Sequence, residues 1–266
     1  MTSQIPAWVK SDAKLWSQGL VSDDEFVNGV QWLIDNNILV VPQIQQSQNM
    51  TSRLISTFAP RLDYSLLAVL DSHKTDFGSS FRTNNLQIYD SQQRILLGFS
   101  SDSVNSAIQQ AGSSIVQIQY IGYDNEPNNG NLSTPPDEVA NPAMFTNQLA
   151  DTVHNAGFKY AITPSRDLLQ AEYQGVDWTK IDLITIQMQR ITANETNYHS
   201  YLDPITSFIK TKNPSVLILV QVNPQFDSVS HIASVIDNTN RIDGVSIVAT
   251  AAPTDQIDSL ITALGR

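Results

Sequence analysis

Residues 115–130 read IVQIQYIGYDNEPNNG. The stretch begins as an apolar run fit for a buried strand and ends in carboxylates, amides and glycine. Similar runs recur along the chain: SLLAVLD (65–71), LQIYD (86–90), RILLGFSS (94–101), FKYAITPS (158–165), DLITIQMQ (182–189), VLILVQVN (216–223) and DGVSIVAT (243–250). Apolar residues on both faces of a short strand mark a sheet covered on both sides, as parallel sheets are.

Between the later runs, apolar residues fall at helical spacing. Asn141-Pro142 opens one helix, which carries Phe145, Leu149 and Val153 and ends at Gly157. Others hold Leu202, Ile205 and Ile209, then Ile232 and Ile236, then Ile257 and Leu260. Strand–helix alternation of this kind predicts an α/β fold. Eight strands and a closing helix fit a (β/α)8 TIM-like barrel with abbreviated first units over residues 61–266. The competing arrangement is an open doubly wound sheet. No Gly-rich phosphate loop follows any strand, which weakens the nucleotide-binding form of that alternative.

Ahead of the barrel, residues 1–42 read as a small helical pair. Pro6 opens the first helix, Gly19 closes it, and Ser22-Asp23-Asp24-Glu25 has the pattern of a capping box for the second. Residues 43–60, rich in Gln and Ser, read as a linker.

Charged residues make up 15% of the 266-residue chain, below the ~25% typical of soluble domains, and the net charge is −11. Such a surface repels nucleic acid and anionic membranes. No apolar run is long enough for an integral membrane span. Without cysteine, disulfides and thiolate chemistry are excluded. Few charges, many amides and three Asn-x-Ser/Thr sequons, at Asn49, Asn131 and Asn194, point to an extracellular or cell-surface protein, and the start MTSQIPAWVK reads either as a native cytosolic start or as a Met on a mature chain whose signal peptide has been removed. Oligomeric state is not legible.

In a barrel, chemistry gathers where strands end. Asp71, His73 and Asp76 follow the first run; as a metal site this group competes with a solvated loop, and no metal or cofactor is expected. The run at 115–124 ends in Tyr123, Asp124, Asn125 and Glu126. Asp124 and Glu126 are two residues apart, so both face the mouth if the strand persists. Adjacent carboxylates raise one another's proton affinity, which suits one of them to general-acid work. Gln187, Gln189 and Arg190 close the sixth run, Gln221 and Asn223 the seventh. Amides donate and accept at once, which suits sugar hydroxyls, and Tyr123 offers a ring for stacking.

Two family resemblances attach to these residues. Asn125-Glu126-Pro127 is similar to the acid/base motif of the large retaining glycoside hydrolase superfamily. That resemblance implies a nucleophilic glutamate at the end of strand seven, where this chain has Gln221. Gly122-Tyr123-Asp124-Asn125-Glu126 resembles the Asp-x-Asp-x-Glu of chitinase-like family 18 barrels, with glycine in place of the first aspartate. That resemblance implies Glu126 as general acid and the substrate's own acetamido group as nucleophile. Gln189 stands near the position of the tyrosine that assists that group. Separately, IPAWVKSDAKLWSQGLVSDDEFVNGVQWLIDNNILVVP resembles a short module of archaeal surface or exported proteins. The expectation is therefore an exported glycoside-hydrolase-like protein with Glu126 as acid and Asp124 as its partner. Asn125, the amides, Arg190 and Asp71 would bind a carbohydrate. The alternative is a non-catalytic glycan-binding or structural protein on a degraded glycosidase barrel, which Gly122, Gln189 and Gln221 favour.

Overall fold

The computed structural model describes residues 14–16, 18–22, 25–26, 29, 53–59, 64–88, 91–189, 194–249 and 252–265. Two units divide the chain, Met1–Thr51 and Ser52–Arg266. Most of the helical pair at 1–42, and residues 43–52 of the expected linker, lie outside the described residues. What is described there follows local rules. Gly19 has φ +71, the Leu20 N–H reaches the Leu15 carbonyl and the Gly19 N–H that of Trp16, which is a Schellman C-cap. Ser22 and Glu25 cap one another: the Glu25 N–H bonds Ser22 Oγ, and the Ser22 N–H bonds Glu25 Oε2. The Trp16 and Phe26 rings stack 4.7 Å apart.

The second unit is a closed barrel of eight parallel strands in sequence order. They are β1 Leu54–Phe58, β2 Phe77–Ser80, β3 Gln93–Gly98, β4 Tyr120–Tyr123, β5 Lys159–Ile162, β6 Leu183–Gln187, β7 Leu217–Val222 and β8 Gly244–Val248. Helices α1 Tyr64–His73, α2 Thr83–Ile88, α3 Ser101–Gly112, α4 Pro136–Ala140, α5 Pro142–Asn155, α6 Arg166–Glu172, α7 Glu195–Lys212, α8 Val229–Asp237 and α9 Thr254–Ala263 fill the connections. β1 pairs with β8 from Leu54↔Gly244 to Phe58↔Val248, which closes the ring. At this seam a Cβ on Gly244 would lie 2.1 Å from the Leu54 carbonyl oxygen, so the two backbones meet at a distance only glycine allows.

The last six strands fall in the runs that the sequence marks, and the first two do not. Residues 65–71 form a helix: Leu66 and Leu70, one turn apart, are buried, while Ser65 and Asp71 are exposed. Residues 86–88 also belong to a helix, α2. A short unbroken apolar run carries no period, so it fits helix and strand alike. The true first strands are LISTF and FGSS, short and hydroxyl-rich. β1 lies inside the stretch 43–60 read as linker, so the barrel begins before residue 61.

Side chains alternate between two cores. Ile121, Tyr123, Tyr160, Ile184, Ile186, Val220 and Val222 point outward into one large cluster with the helices. Phe77, Ile95, Leu97, Tyr120, Ala161, Leu183 and Leu219 pack inside the barrel. Inside the ring a Cβ on Gly122 would lie 2.4 Å from Leu97 Cδ2 and 3.2 Å from Ile95 Cγ2. The place of the first aspartate in Asp-x-Asp-x-Glu is thus filled by leucine.

One device recurs four times at the N-terminal face. Asp76, Gln119, Asp182 and Asp243 each immediately precede an even-numbered strand. The side chain of each accepts the N–H of the second residue of the preceding strand: Ile55 (2.8 Å), Arg94 (2.7 Å), Tyr160 (2.8 Å) and Ile218 (2.8 Å). The backbone carbonyl of each accepts the N–H of the first residue of the next odd strand: Gln93, Lys159, Leu217 and Leu54. Every clamp therefore joins three strands, and together they satisfy the strand entrances around the whole ring. Asp76→Ala leaves the buried Ile55 N–H without its acceptor and is expected to cost about 2 kcal/mol in urea denaturation. Asp76→Asn keeps an acceptor, as Gln119 does, and is expected to cost less than half as much. Equal losses would show that the clamp is not the source of the effect.

Candidate active site

β4 ends at Tyr123, but extended alternation carries on for three residues. Asp124 N–H bonds the Gly98 carbonyl at 2.8 Å on one side, and Thr163 N–H bonds the Tyr123 carbonyl at 2.9 Å on the other. Asp124 and Glu126 consequently both face a cavity of about 180 Å³ inside the barrel mouth. Its walls include Phe58, Leu97, Leu183 and Val248, with Gln187, Gln189 and Gln221 among its polar groups. Glu126 is anchored by its backbone: its N–H bonds Thr134 Oγ1 at 2.9 Å, and its carbonyl accepts the Thr134 N–H at 2.9 Å.

Both carboxyl groups hold their protons more tightly than usual. For Asp124, burial is the main cause and the Glu126 charge adds to it. For Glu126, burial raises proton affinity, while the hydrogen bond from Gln187 Nε2 favours the ionised form and opposes it. Gln187 Nε2 also reaches the Thr163 carbonyl at 3.3 Å, which fixes the amide between β5 and Glu126. Asp124 is 4% exposed, and its Oδ1 is buried without a hydrogen-bond partner. An apolar-walled cavity with two acids and four amides, Asn129 among them, can supply a proton, accept one N–H or O–H at Asp124, and hold hydroxyls.

Asp124, Glu126, Gln187, Gln189 and Gln221 thus line one cavity. Four other expected residues stand elsewhere. Tyr123 points outward, fully buried, and its hydroxyl donates to Glu138 Oε2 at 2.8 Å. The same alternation that turns Asp124 and Glu126 inward turns Tyr123 away from the mouth. Asn125, 1% exposed, is not part of the lining. Asn223 Oδ1 accepts the Gln225 N–H at 2.9 Å and serves the turn after β7 instead of the cavity. Asp71 lies on the exposed face of α1, because the run 65–71 is a helix and not a strand that ends at the mouth. Arg190 lies outside the described residues. His73 bonds Asp258 at 2.7 Å, and Asp76 belongs to the clamp on the opposite face; among the described residues no group of three or more His, Asp or Glu is placed to hold a metal.

Ser79, Thr163, Thr185, Ser246 and Phe58 also line the cavity, and sequence reading passed them over. Thr185 lies two residues before Gln187, so the alternation rule was enough to find it. Phe58, Ser79 and Ser246 could be found only once β1, β2 and β8 were in register.

Among the described acids, only Asp124 and Glu126 belong to this lining, and Gln221 occupies the strand-seven position. The class so defined is a (β/α)8 barrel with an acidic pair after strand four. No protein-family model matches the chain, and no curated protein matches it. Solved structures match its fold. A glycoside hydrolase family 128 endo-β-1,3-glucanase from Amycolatopsis mediterranei, in complex with laminaripentaose, gives a TM-score of 0.54 at 11% identity, over 80% of this chain and 98% of that one. The spore cortex-lytic enzyme SleL of Bacillus megaterium gives 0.53 at 8% identity, over 80% and 74%. The xylanase and α-amylase inhibitor protein XAIP-II from Scadoxus multiflorus gives 0.53 at 10% identity, over 80% and 98%. The shared feature is the fold, and it includes proteins named as enzymes and one named as an inhibitor. Among the described residues, no helix is long and apolar enough to cross a membrane.

Proposed function

We propose that this protein is an exported glycoside hydrolase that cleaves glycans carrying 2-acetamido sugars, with Glu126 as the proton donor. The observation that carries this reading is the pair Asp124 and Glu126 in one small cavity, with Asp124 Oδ1 buried and unpartnered. Two carboxyl groups on the same strand approach a sugar from the same side, whereas two-carboxylate mechanisms need groups flanking the scissile bond. Gln221 cannot form a glycosyl ester. Among the described residues, what remains is assistance by the substrate. The acetamido oxygen attacks the anomeric carbon, Glu126 gives its proton to the departing glycosidic oxygen, and the acetamido N–H bonds Asp124. Water then opens the cyclic intermediate, returning a proton to Glu126. An N–H at Asp124 favours its ionised form, so the proton shared by the coupled pair resides on Glu126, where it is needed.

The structural neighbours named as glucanases and as a cortex-lytic enzyme support a glycan as substrate, and the low charge and abundant amides support action outside the cell. The second reading, a glycan-binding protein without catalysis, is favoured by Gln221 and by a neighbour named as an inhibitor. The test is product analysis with N-acetylglucosamine oligomers and, in parallel, β-1,3-glucan oligomers. Cleavage of the first and not of the second is expected. Cleavage of glucan oligomers alone would overturn substrate assistance, and binding of N-acetylglucosamine oligomers without cleavage would establish the second reading.

A further inference from the structure

A larger cavity, of about 660 Å³, lies alongside the first. Phe81 and Phe99 wall it from the ends of β2 and β3, Leu132 from the loop after β4, and Gln110 from α3, while Arg82 stands at the rim. Three observations join it to the Glu126 cavity. Leu97 borders both. The loop after β4 gives Asn129 to one and Leu132 to the other. Phe58, a wall of the smaller cavity, meets Phe81 edge-on at 5.8 Å, and Phe81 meets Phe99 edge-on at 6.5 Å, so a row of rings leads from one space into the other.

The two volumes divide the work. Pockets that enclose a whole ligand measure roughly 300–1,000 Å³. The Glu126 cavity is smaller than this and has room for the reacting unit; the second is well inside the range. A pyranose has apolar C–H faces and a hydroxylated edge. The second cavity offers the complement: half-buried phenylalanine rings with amide and guanidinium donors at the margin. We infer that this cavity is an accessory subsite holding the sugar units that flank the cleaved bond, which makes the protein act within glycan chains of several units. The inference rests on the glycan reading of the Glu126 cavity.

The test measures binding calorimetrically on the full chain carrying Glu126→Gln, with the dimer, tetramer and hexamer of N-acetylglucosamine. Affinity is expected to rise about tenfold from dimer to tetramer, the size of one favourable ring contact. Phe81→Ala removes a wall, and Ser106→Trp, at an exposed position of α3, fills the space without disturbing the core. Both are expected to abolish the rise and leave dimer binding intact. A rise that survives both substitutions, or no rise in the parent, overturns the accessory subsite and leaves the Glu126 assignment standing. No binding at any length removes the glycan reading, and this inference with it.

Discussion

Glu126→Gln is expected to lower turnover of N-acetylglucosamine oligomers by about 10³-fold while leaving their binding nearly unchanged, because general-acid catalysis contributes roughly 10²–10⁴ to rate. The amide is isosteric, and only the transferable proton is lost. The pH profile provides an independent measure. Activity requires Glu126 protonated, so it falls as pH rises through the Glu126 pKa, which burial places above the ordinary carboxylate range. The Gln187 hydrogen bond favours the ionised form. Removing that bond in Gln187→Leu raises proton affinity, so the alkaline limb is expected to move to higher pH. A limb that stays in place, or full activity in Glu126→Gln, would assign the proton to another group.

The second large effect concerns stability. Glu172, at the end of α6, is 5% exposed, its Oε2 is buried without a partner, and burial pushes its pKa up to about 8. Tyr160 is fully buried with an unpartnered hydroxyl, and its ionisation is opposed by burial and then by the nearby charges of Glu172 and Glu138. In the unfolded chain Glu172 loses its proton near 4.5, as an ordinary glutamate does. Between these two values the folded state binds the extra proton, so stability falls as pH rises across that window and levels off above it. Each unit corresponds to about 1.4 kcal/mol, so, with local relaxation, the loss is on the order of 3 kcal/mol. Glu172→Gln keeps the shape and is expected to flatten the profile of unfolding free energy against pH. A slope unchanged in the variant would place its origin elsewhere.

The fold was legible where strands are apolar on both faces, as in LILV, or strictly alternating, as in ITIQ, and the helices between them show a clear period. It was not legible where a strand earns its place through small hydroxyl residues. FGSS has no run to recognise, yet Ser79 and Ser80 are buried with their hydroxyls satisfied: Ser79 donates to the Thr57 carbonyl at 3.2 Å, and Ser80 Oγ accepts from Asn85 Nδ2 at 3.1 Å. The acid pair could be read from spacing alone, since a period of two is enforced by backbone pairing with both neighbours. The same rule, applied to Tyr123 and Asn125, already turns them outward. Asn223 was beyond such reasoning, because a turn takes over where β7 ends.

The four clamps at the strand entrances carry a consequence for how this barrel can be cut and rebuilt. Each side-chain bond lies within one strand–helix–strand pair, and each carbonyl bond reaches the next pair, so the ring is four copies of one chemical unit joined head to tail. The seam between β8 and β1 is made by the same bond, from Asp243 to Leu54, as the three joints along the chain. Nothing in that arrangement marks where the polypeptide must start. A circular permutant of the barrel that begins just before β3, β5 or β7 keeps every clamp, whereas one opened between β1 and β2 separates a side-chain acceptor from its donor in sequence. The barrel is thus indexed in pairs of strands, and pairs are the pieces in which it can be rearranged.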